Sequence, residues 1–173
     1  MRETQALEQG YTIDHYCNPK VAYKDARYDP DELVYLTPQG NFEDVQDFHA
    51  KFGVPVASSP TIPDNETYKF RRKFMQEEID EFEAAYLDLK VGVITEAQAL
   101  HEMADALVDL VYVAMGTADM MGLPWQKLWD EVQRANMSKV RATDASQSKR
   151  GSALDVVKPE GWVAPNHYPA LGL

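Results

Sequence analysis

The sequence predicts an all-α fold, a bundle of four to five helices with irregular extensions at both ends. Apolar residues recur at helical spacing through most of residues 41–140, and capping residues and glycines mark the limits of the segments. Before residue 41 neither a helical nor a strand period is sustained, and after residue 140 Ser, Gly and Pro recur. We therefore expect an irregular extension over 1–40, a helical catalytic domain over 41–140 and an extended tail over 141–173.

The first extension is rich in tyrosine, with Tyr11, Tyr16, Tyr23, Tyr28 and Tyr35. A short helix is predicted to follow it over Phe42–Phe52. Asn41 is a suitable N-cap, two acidic residues fill the first turn, and Gly53 comes just after the last turn. A loop over Pro55–Asp64, rich in Pro and Ser, then separates this helix from the next.

The second and third helices have clearer limits. The second is predicted over Glu66–Lys90 and ends before Gly92. Thr95 and Gln98 form a capping box, in which each side chain satisfies a backbone N–H of the first turn. This box opens the third helix, which continues to Met121.

A fourth helix is predicted after Gly122, with Pro124 in its first turn, and reaches about Val140. The third helix is apolar almost all round, and four helices of modest length contain too little material to cover it. We therefore expect a homo-oligomer, either a homodimer or a homotetramer.

Composition limits the possible functions. A formal charge of −11 and an isoelectric point near 4.7 exclude a groove for a nucleic-acid polymer, which requires clustered Lys and Arg. Cys17 is the single cysteine, so neither an intramolecular disulfide nor a cysteine-based zinc site is possible. We find no apolar run that predicts a signal peptide or a membrane span, and we expect a cytoplasmic protein.

Two groups of carboxylates stand at helical spacing on the second and third helices. No Lys or Arg occurs between Val91 and Gln126 to neutralise the second group. An isolated acid pair usually marks the solvated face of a helix, but here two pairs occur on consecutive helices that a short connection makes antiparallel. Repulsion among them favours a divalent cation, Mg²⁺ or Mn²⁺ for oxygen ligands. The acids are Glu77, Glu78 and Glu81, then Glu102, Asp105 and Asp109.

Other metal sites do not fit the sequence. No histidine has an acid three positions before it, as di-iron bundles require, and the calcium-loop pattern is absent. The four histidines are scattered rather than set at zinc spacing.

The pattern Glu78-x-x-Glu81 followed by Glu102-x-x-Asp105 resembles that of the all-α nucleoside triphosphate pyrophosphohydrolases. These include MazG-like proteins, dimeric dUTPases and phosphoribosyl-ATP pyrophosphohydrolase. The resemblance covers about Phe42–Val140. The stretch Val45–Gly53 and the Pro-Gly-Trp-like tail are most similar to phage-type MazG proteins, whose MazZ branch hydrolyses dGTP; a phage protein of this kind would act in the host cytoplasm.

The resemblance implies that the four motif acids hold two or three Mg²⁺ or Mn²⁺ ions against a triphosphate. Cleavage between the α and β phosphates would release a nucleoside monophosphate and pyrophosphate. Glu81 is the candidate water-activating base, assisted by Glu78, while Glu77 and Asp109 are extra ligands or supports of the ligands.

Candidate substrate contacts follow from the same resemblance. Arg71 and Lys139 are equally well explained as surface bases at a helix end, Lys158 lies in the tail, and a Phe at helical spacing is more often a core residue. The phosphate-binding candidates are Arg71, Asn136, Lys139 and Lys158, and the base-pocket candidates are Phe48, His49 and Phe52.

The substrate expected first is dGTP or GTP. Two alternatives stay open at this point: a pyrophosphatase of the same fold that clears dUTP or dCTP, and a non-catalytic helical adaptor stabilised by metal.

Overall fold

The computed structural model describes residues 6, 9–14, 21–23, 34–35 and 40–173. They belong to two compact units, residues 1–52 and 53–173. Tyr16, Cys17 and Tyr28, on which some sequence expectations fell, lie outside the described residues.

The first unit contains a small antiparallel sheet in which β2 is the central strand. Its strands are β1 (Thr12–Asp14), β2 (Val21–Tyr23) and β3 (Val34–Tyr35). Ile13 and Ala22 lie opposite one another in the register and are buried. The sequence predicted an irregular segment here, because strands of two or three residues are too short to show a period of two.

Helix α1 (Asn41–Phe52) completes this unit. It begins one residue earlier than predicted, and Asn41 is not its cap. The Glu43 carboxylate instead accepts a 3.1 Å hydrogen bond from the backbone N–H of Gly40. The acidic first turn that marked this helix therefore supplies the capping group itself.

The second unit contains the three long helices α2 (Asn65–Lys90), α3 (Glu96–Met120) and α4 (Trp125–Met137). Asp64 caps α2 by accepting a 2.7 Å hydrogen bond from Thr67 N–H. The Thr95 capping box at the start of α3 is confirmed in both of its hydrogen bonds.

Helix α4 ends before the predicted Val140, which lies instead in β4 (Val140–Arg141). This strand pairs antiparallel with β5 (Val156–Val157), and a 3-10 turn over Ala145–Gln147 lies between them. The short helix α5 (Tyr168–Leu171) follows. The described chain thus has five helices, four of them long, and little strand, which confirms the all-α class. In the part of the chain that the structure describes, no helix combines the length and apolar character needed to cross a lipid bilayer.

Helices α2 and α3 form the main packed pair of this unit. Small side chains make their close approach possible, since Ala85 of α2 and Ala99 and Ala106 of α3 are each at most 2% exposed. Helix α3 is covered less completely elsewhere, and several of its large apolar residues are exposed.

The loop before α2 is held against the end of α3. Ala57 N–H donates to the Met120 carbonyl at 3.1 Å, and Thr61 N–H donates to the Met121 carbonyl at 2.9 Å. These bonds satisfy carbonyl groups that the end of a helix leaves without partners. Gly122 lies beneath this crossing with a φ of 65°, and a Cβ there would be 2.6 Å from the Ala57 carbonyl oxygen.

Candidate active site

Arg71 connects α2 to α3 at one end of the site. Its Nη2 donates to the Val113 carbonyl at 2.7 Å, and its Nε donates to Thr117 Oγ1 at 3.0 Å. The Thr117 hydroxyl in turn donates to the same Val113 carbonyl at 2.8 Å. The guanidinium also lies 5.6 Å from the ring centre of Phe74. Arg71 therefore takes part in the packing of α2 against α3. Its contact with phosphate stays a prediction.

The acids come next along the same face of α2. Two turns after Arg71, Glu78 interacts electrostatically with Asp105 and Asp109, which lie about two turns and one turn before Val113 on α3. Residues later in α2 therefore lie opposite residues earlier in α3, as in an antiparallel pair of helices. Glu81 comes three residues after Glu78, so in this register it lies opposite the turn from Glu102 to Asp105.

Like charges crowd around Glu78. Partial burial raises the pKa of Glu78 above its ordinary value, and the neighbouring carboxylates raise it further, in the order Glu81, Asp109, Glu77 and Asp105. These five residues are called the acid cluster below. Asp109, predicted as an extra ligand, thus acts on Glu78 more strongly than Asp105 does.

Glu77 differs from the rest of the acid cluster because it has a cation of its own. Its carboxylate lies 3.1 Å from Lys73 Nζ on the preceding turn, and both side chains are largely exposed. Asp80, on the opposite face of α2, accepts a 2.8 Å hydrogen bond from Gln76. These contacts divide the α2 acids into a group beside α3, which includes Glu78, and a solvated group, which includes Asp80.

The donor set of the acid cluster suits a hard divalent cation, because it consists of carboxylates only. Among the described residues, no three His, Cys, Asp or Glu side chains converge closely enough to hold a metal ion. Mutual repulsion spreads exposed carboxylates apart, and rotation about their side-chain bonds is fast. The acid cluster therefore has suitable ligand atoms for such an ion. Its side chains must change rotamer to bind the ion together.

The predicted phosphate ligands Lys139 and Lys158 come from different segments but lie at one aromatic side chain. Lys158 Nζ is 4.2 Å and Lys139 Nζ is 6.0 Å from the ring centre of Trp162. Lys139 was predicted to lie at the end of α4, but it comes after the helix. Its N–H donates to the Asn136 carbonyl at 3.1 Å. Trp162 belongs to the Pro-Gly-Trp-like tail but was not predicted as a site residue; the turn-forming Pro-Glu-Gly before it was the available signal.

The predicted base-pocket residues lie on α1. Phe48 and Phe52 are exposed with ring centres 4.6 Å apart, whereas His49 is only 4% exposed. These three residues belong to the unit of residues 1–52, and the acid cluster belongs to the unit of residues 53–173. Their contact with a nucleobase stays a prediction.

Comparison with known proteins identifies the helical region. Residues 45–136, just over half of the chain, match the family model described as phosphoribosyl-ATP pyrophosphohydrolase. The match includes α2, α3 and nearly all of α4, and therefore the whole acid cluster. It stops before Lys139 and the tail. The chain matches no curated protein.

Proposed function

Because the chain belongs to the phosphoribosyl-ATP pyrophosphohydrolase family, a family of nucleotide pyrophosphohydrolases, we propose that it is a metal-dependent nucleoside triphosphate pyrophosphohydrolase. It cleaves between the α and β phosphates and releases a monophosphate and pyrophosphate. The observation that carries this proposal is the antiparallel register of α2 and α3, which brings Glu78 into the field of Asp105 and Asp109.

In the proposed site, four acids hold two or three Mg²⁺ or Mn²⁺ ions. Bound there, the ions neutralise phosphate oxygens and lower the pKa of a water molecule. Glu81 accepts the proton of the attacking water, assisted by Glu78. The four metal-binding acids are Glu78, Glu81, Glu102 and Asp105.

The leading substrate is dGTP, by resemblance to the phage-type MazG proteins and their MazZ branch. The alternatives dUTP and dCTP use the same acids, and the family description adds phosphoribosyl-ATP as a candidate. Turnover of each of these compounds, measured at equal concentration, ranks the substrates because only the groups outside the triphosphate differ.

The catalytic test compares pyrophosphate release by the wild type, Glu78→Gln and Asp80→Asn, with Mg²⁺ or Mn²⁺ present. Asp80 is the matched control, since it lies two residues away on the opposite face and bonds to Gln76. We expect Glu78→Gln to lose activity by about a hundredfold or more, as for removal of one electrostatic catalytic group, and Asp80→Asn to retain it. Equal rates in all three proteins would remove the acid cluster from the mechanism. Absence of release from every nucleotide would favour the adaptor.

The proposal includes self-association through α3. The exposed apolar side chains of Leu100, Leu107, Val108 and Val111 recur at helical spacing. At 100° per residue Leu100, Leu107 and Val111 face away from Val113 and therefore away from α2, and Val108 lies at the edge of this face. A second copy of the chain is the occupant that the sequence predicts, as a homodimer or homotetramer.

A further inference from the structure

The tail folds back onto the end of α4 through Trp162. Its indole Nε1 donates a 2.8 Å hydrogen bond to the Ala135 carbonyl in the last turn of α4. Before it, the chain makes a tight turn, in which Trp162 N–H bonds to the Pro159 carbonyl at 3.1 Å and Gly161 adopts a φ of 73°. A positive φ at the third position is the requirement of a type II turn, which glycine meets without strain.

Further contacts hold the same segment. Arg134 Nη2 lies 3.3 Å from the Ala164 carbonyl, and Asn166 N–H donates to Glu131 Oε1 at 3.0 Å. Glu131 and Arg134 are themselves paired at 2.8 Å. The position of Trp162 is therefore fixed from both sides along the chain, by the turn before it and by this pair after it.

Lys158 and Lys139 both lie over the Trp162 ring, with their ammonium groups 4.2 and 6.0 Å from its centre. In the described part of the chain, neither Lys139 nor Lys158 lies within ion-pairing distance of a carboxylate. The indole face attracts each ammonium group, but it has no net charge and does not neutralise either of them.

We propose that Trp162 is a positioning residue that holds Lys158 beside Lys139, so that the two ammonium groups form one site for the outer phosphates of the nucleotide or for pyrophosphate. The three residues are called the cation platform. This inference rests on the proposed function for the identity of its ligand, and it assigns the tail, which the family match does not reach, to substrate binding.

The chemistry of the cation platform fits a polyphosphate. An anion with several charged oxygens can bond to both ammonium groups and neutralise their charge. A role at the helix end would explain Lys139 alone, since cations stabilise the C-terminus of a helix. It does not explain Lys158, which comes from a separate segment and makes the shorter contact with the ring.

The first test measures binding of inorganic pyrophosphate by calorimetry at low ionic strength with EDTA present. Without divalent ions the acid cluster repels the ligand, so binding reports on the cation platform and not on hydrolysis. We expect Lys158→Met and Trp162→Leu each to weaken the affinity about fivefold or more, equivalent to about 1 kcal/mol. Lys127→Met, on the exposed side of α4, is the matched control and should leave the affinity unchanged.

The second test separates positioning from folding. Trp162→Phe keeps an aromatic face but loses the N–H that bonds to Ala135, so its affinity should lie between those of the wild type and Trp162→Leu. With the best nucleotide, Lys158→Met should raise KM and lower kcat/KM, since it removes a cation from the outer phosphates, which leave as pyrophosphate. A thermal midpoint within the range of the control would show that each variant is folded.

The outcomes are distinct. Pyrophosphate binding that depends on Lys158 and Trp162, in a protein that hydrolyses no nucleotide, would support the cation platform and contradict the proposed function. Affinity and KM that are unchanged in Lys158→Met and in Trp162→Phe, with hydrolysis intact, would overturn the cation platform and leave the proposed function standing.

Discussion

Arg71 donates a 2.7 Å hydrogen bond from α2 to the Val113 carbonyl of α3, at a point where that carbonyl also accepts from Thr117. Arginine can complete this arrangement because its planar group presents several N–H donors in a fixed geometry. The bond fixes the register of the two helices, and that register places the acids opposite one another.

Replacement of Arg71 by Lys should therefore destabilise the protein in the absence of any nucleotide. A single ammonium group cannot reproduce both the Nε and the Nη2 bonds, and we expect a loss of about 1–3 kcal/mol, as for a part-buried charged hydrogen bond. Urea unfolding measures the change. Arg72→Lys, at the neighbouring exposed position, is the control. An unchanged midpoint in Arg71→Lys would contradict a role of these hydrogen bonds in stability.

Glu78→Gln should have opposite effects on stability and on the response to metal. It removes one of several crowded like charges, each worth a few tenths of a kcal/mol, so the thermal midpoint without divalent ions should rise by roughly 1–2 °C. Mg²⁺ or Mn²⁺ should raise the midpoint of the wild type, because a ligand that binds only the folded state stabilises it. The variant should show a smaller rise. An equal response to metal in both proteins would place the ions elsewhere.

The sequence predicted α2 and α3 almost to the residue because their limits are local. The Thr95 and Gln98 side chains bond within one turn, and no distant group changes that outcome. The end of α4 was predicted wrongly, since Val140 pairs with Val157, seventeen residues away, and a local pattern does not report such a partner. The strands of the first extension were missed because two or three residues are too few to show a period of two.

The candidate site was likewise predicted where local spacing determines it and not where distant residues meet. Glu78 and Asp109 were predicted on facing helices from spacing alone, because a short connection between two helices enforces antiparallel packing. Trp162 was not predicted, since its contact with Ala135 spans 27 residues of chain. The Glu77 pair with Lys73 needed only helical spacing and was available from the sequence.

Gly122→Ala should be costly because two penalties coincide. Its φ of 65° disfavours any Cβ, and the added atom would meet the Ala57 carbonyl at 2.6 Å. Gly92→Ala is a matched control, since Gly92 has a φ of 77° but nothing within 4 Å of its added Cβ. We expect about 1 kcal/mol for the control and about 2–3 kcal/mol for Gly122→Ala, measured by urea unfolding. Equal losses would show that the loop moves aside freely.

Docking of the tail should resist acid. The Arg134 guanidinium and the Asn166 N–H lower the pKa of Glu131 to about 2 from an ordinary value of 4.5. A lowered pKa means that the carboxylate stabilises the docked form fully above pH 4.5 and loses this effect as the pH falls through 2. The indole N–H resonance of Trp162 in NMR spectra should therefore stay protected from exchange at pH 4. In Glu131→Gln this protection should be weaker at pH 7 and should not change between pH 7 and pH 4, and strong protection that persists in the variant would contradict the role of Glu131.

The exposed apolar face of α3 yields a test of self-association. Leu107 is 49% and Val111 46% exposed, and they lie one turn apart on the side away from α2. If a second copy covers this face, burial of an introduced carboxylate is strongly unfavourable. Light scattering should then show the double variant Leu107→Glu, Val111→Glu at 19.6 kDa, the mass of one chain, and the wild type at a multiple of it. Leu154→Glu, at a 79% exposed position between β4 and β5, should keep the wild-type mass. A wild type that is already a single chain would show that this face has no partner copy.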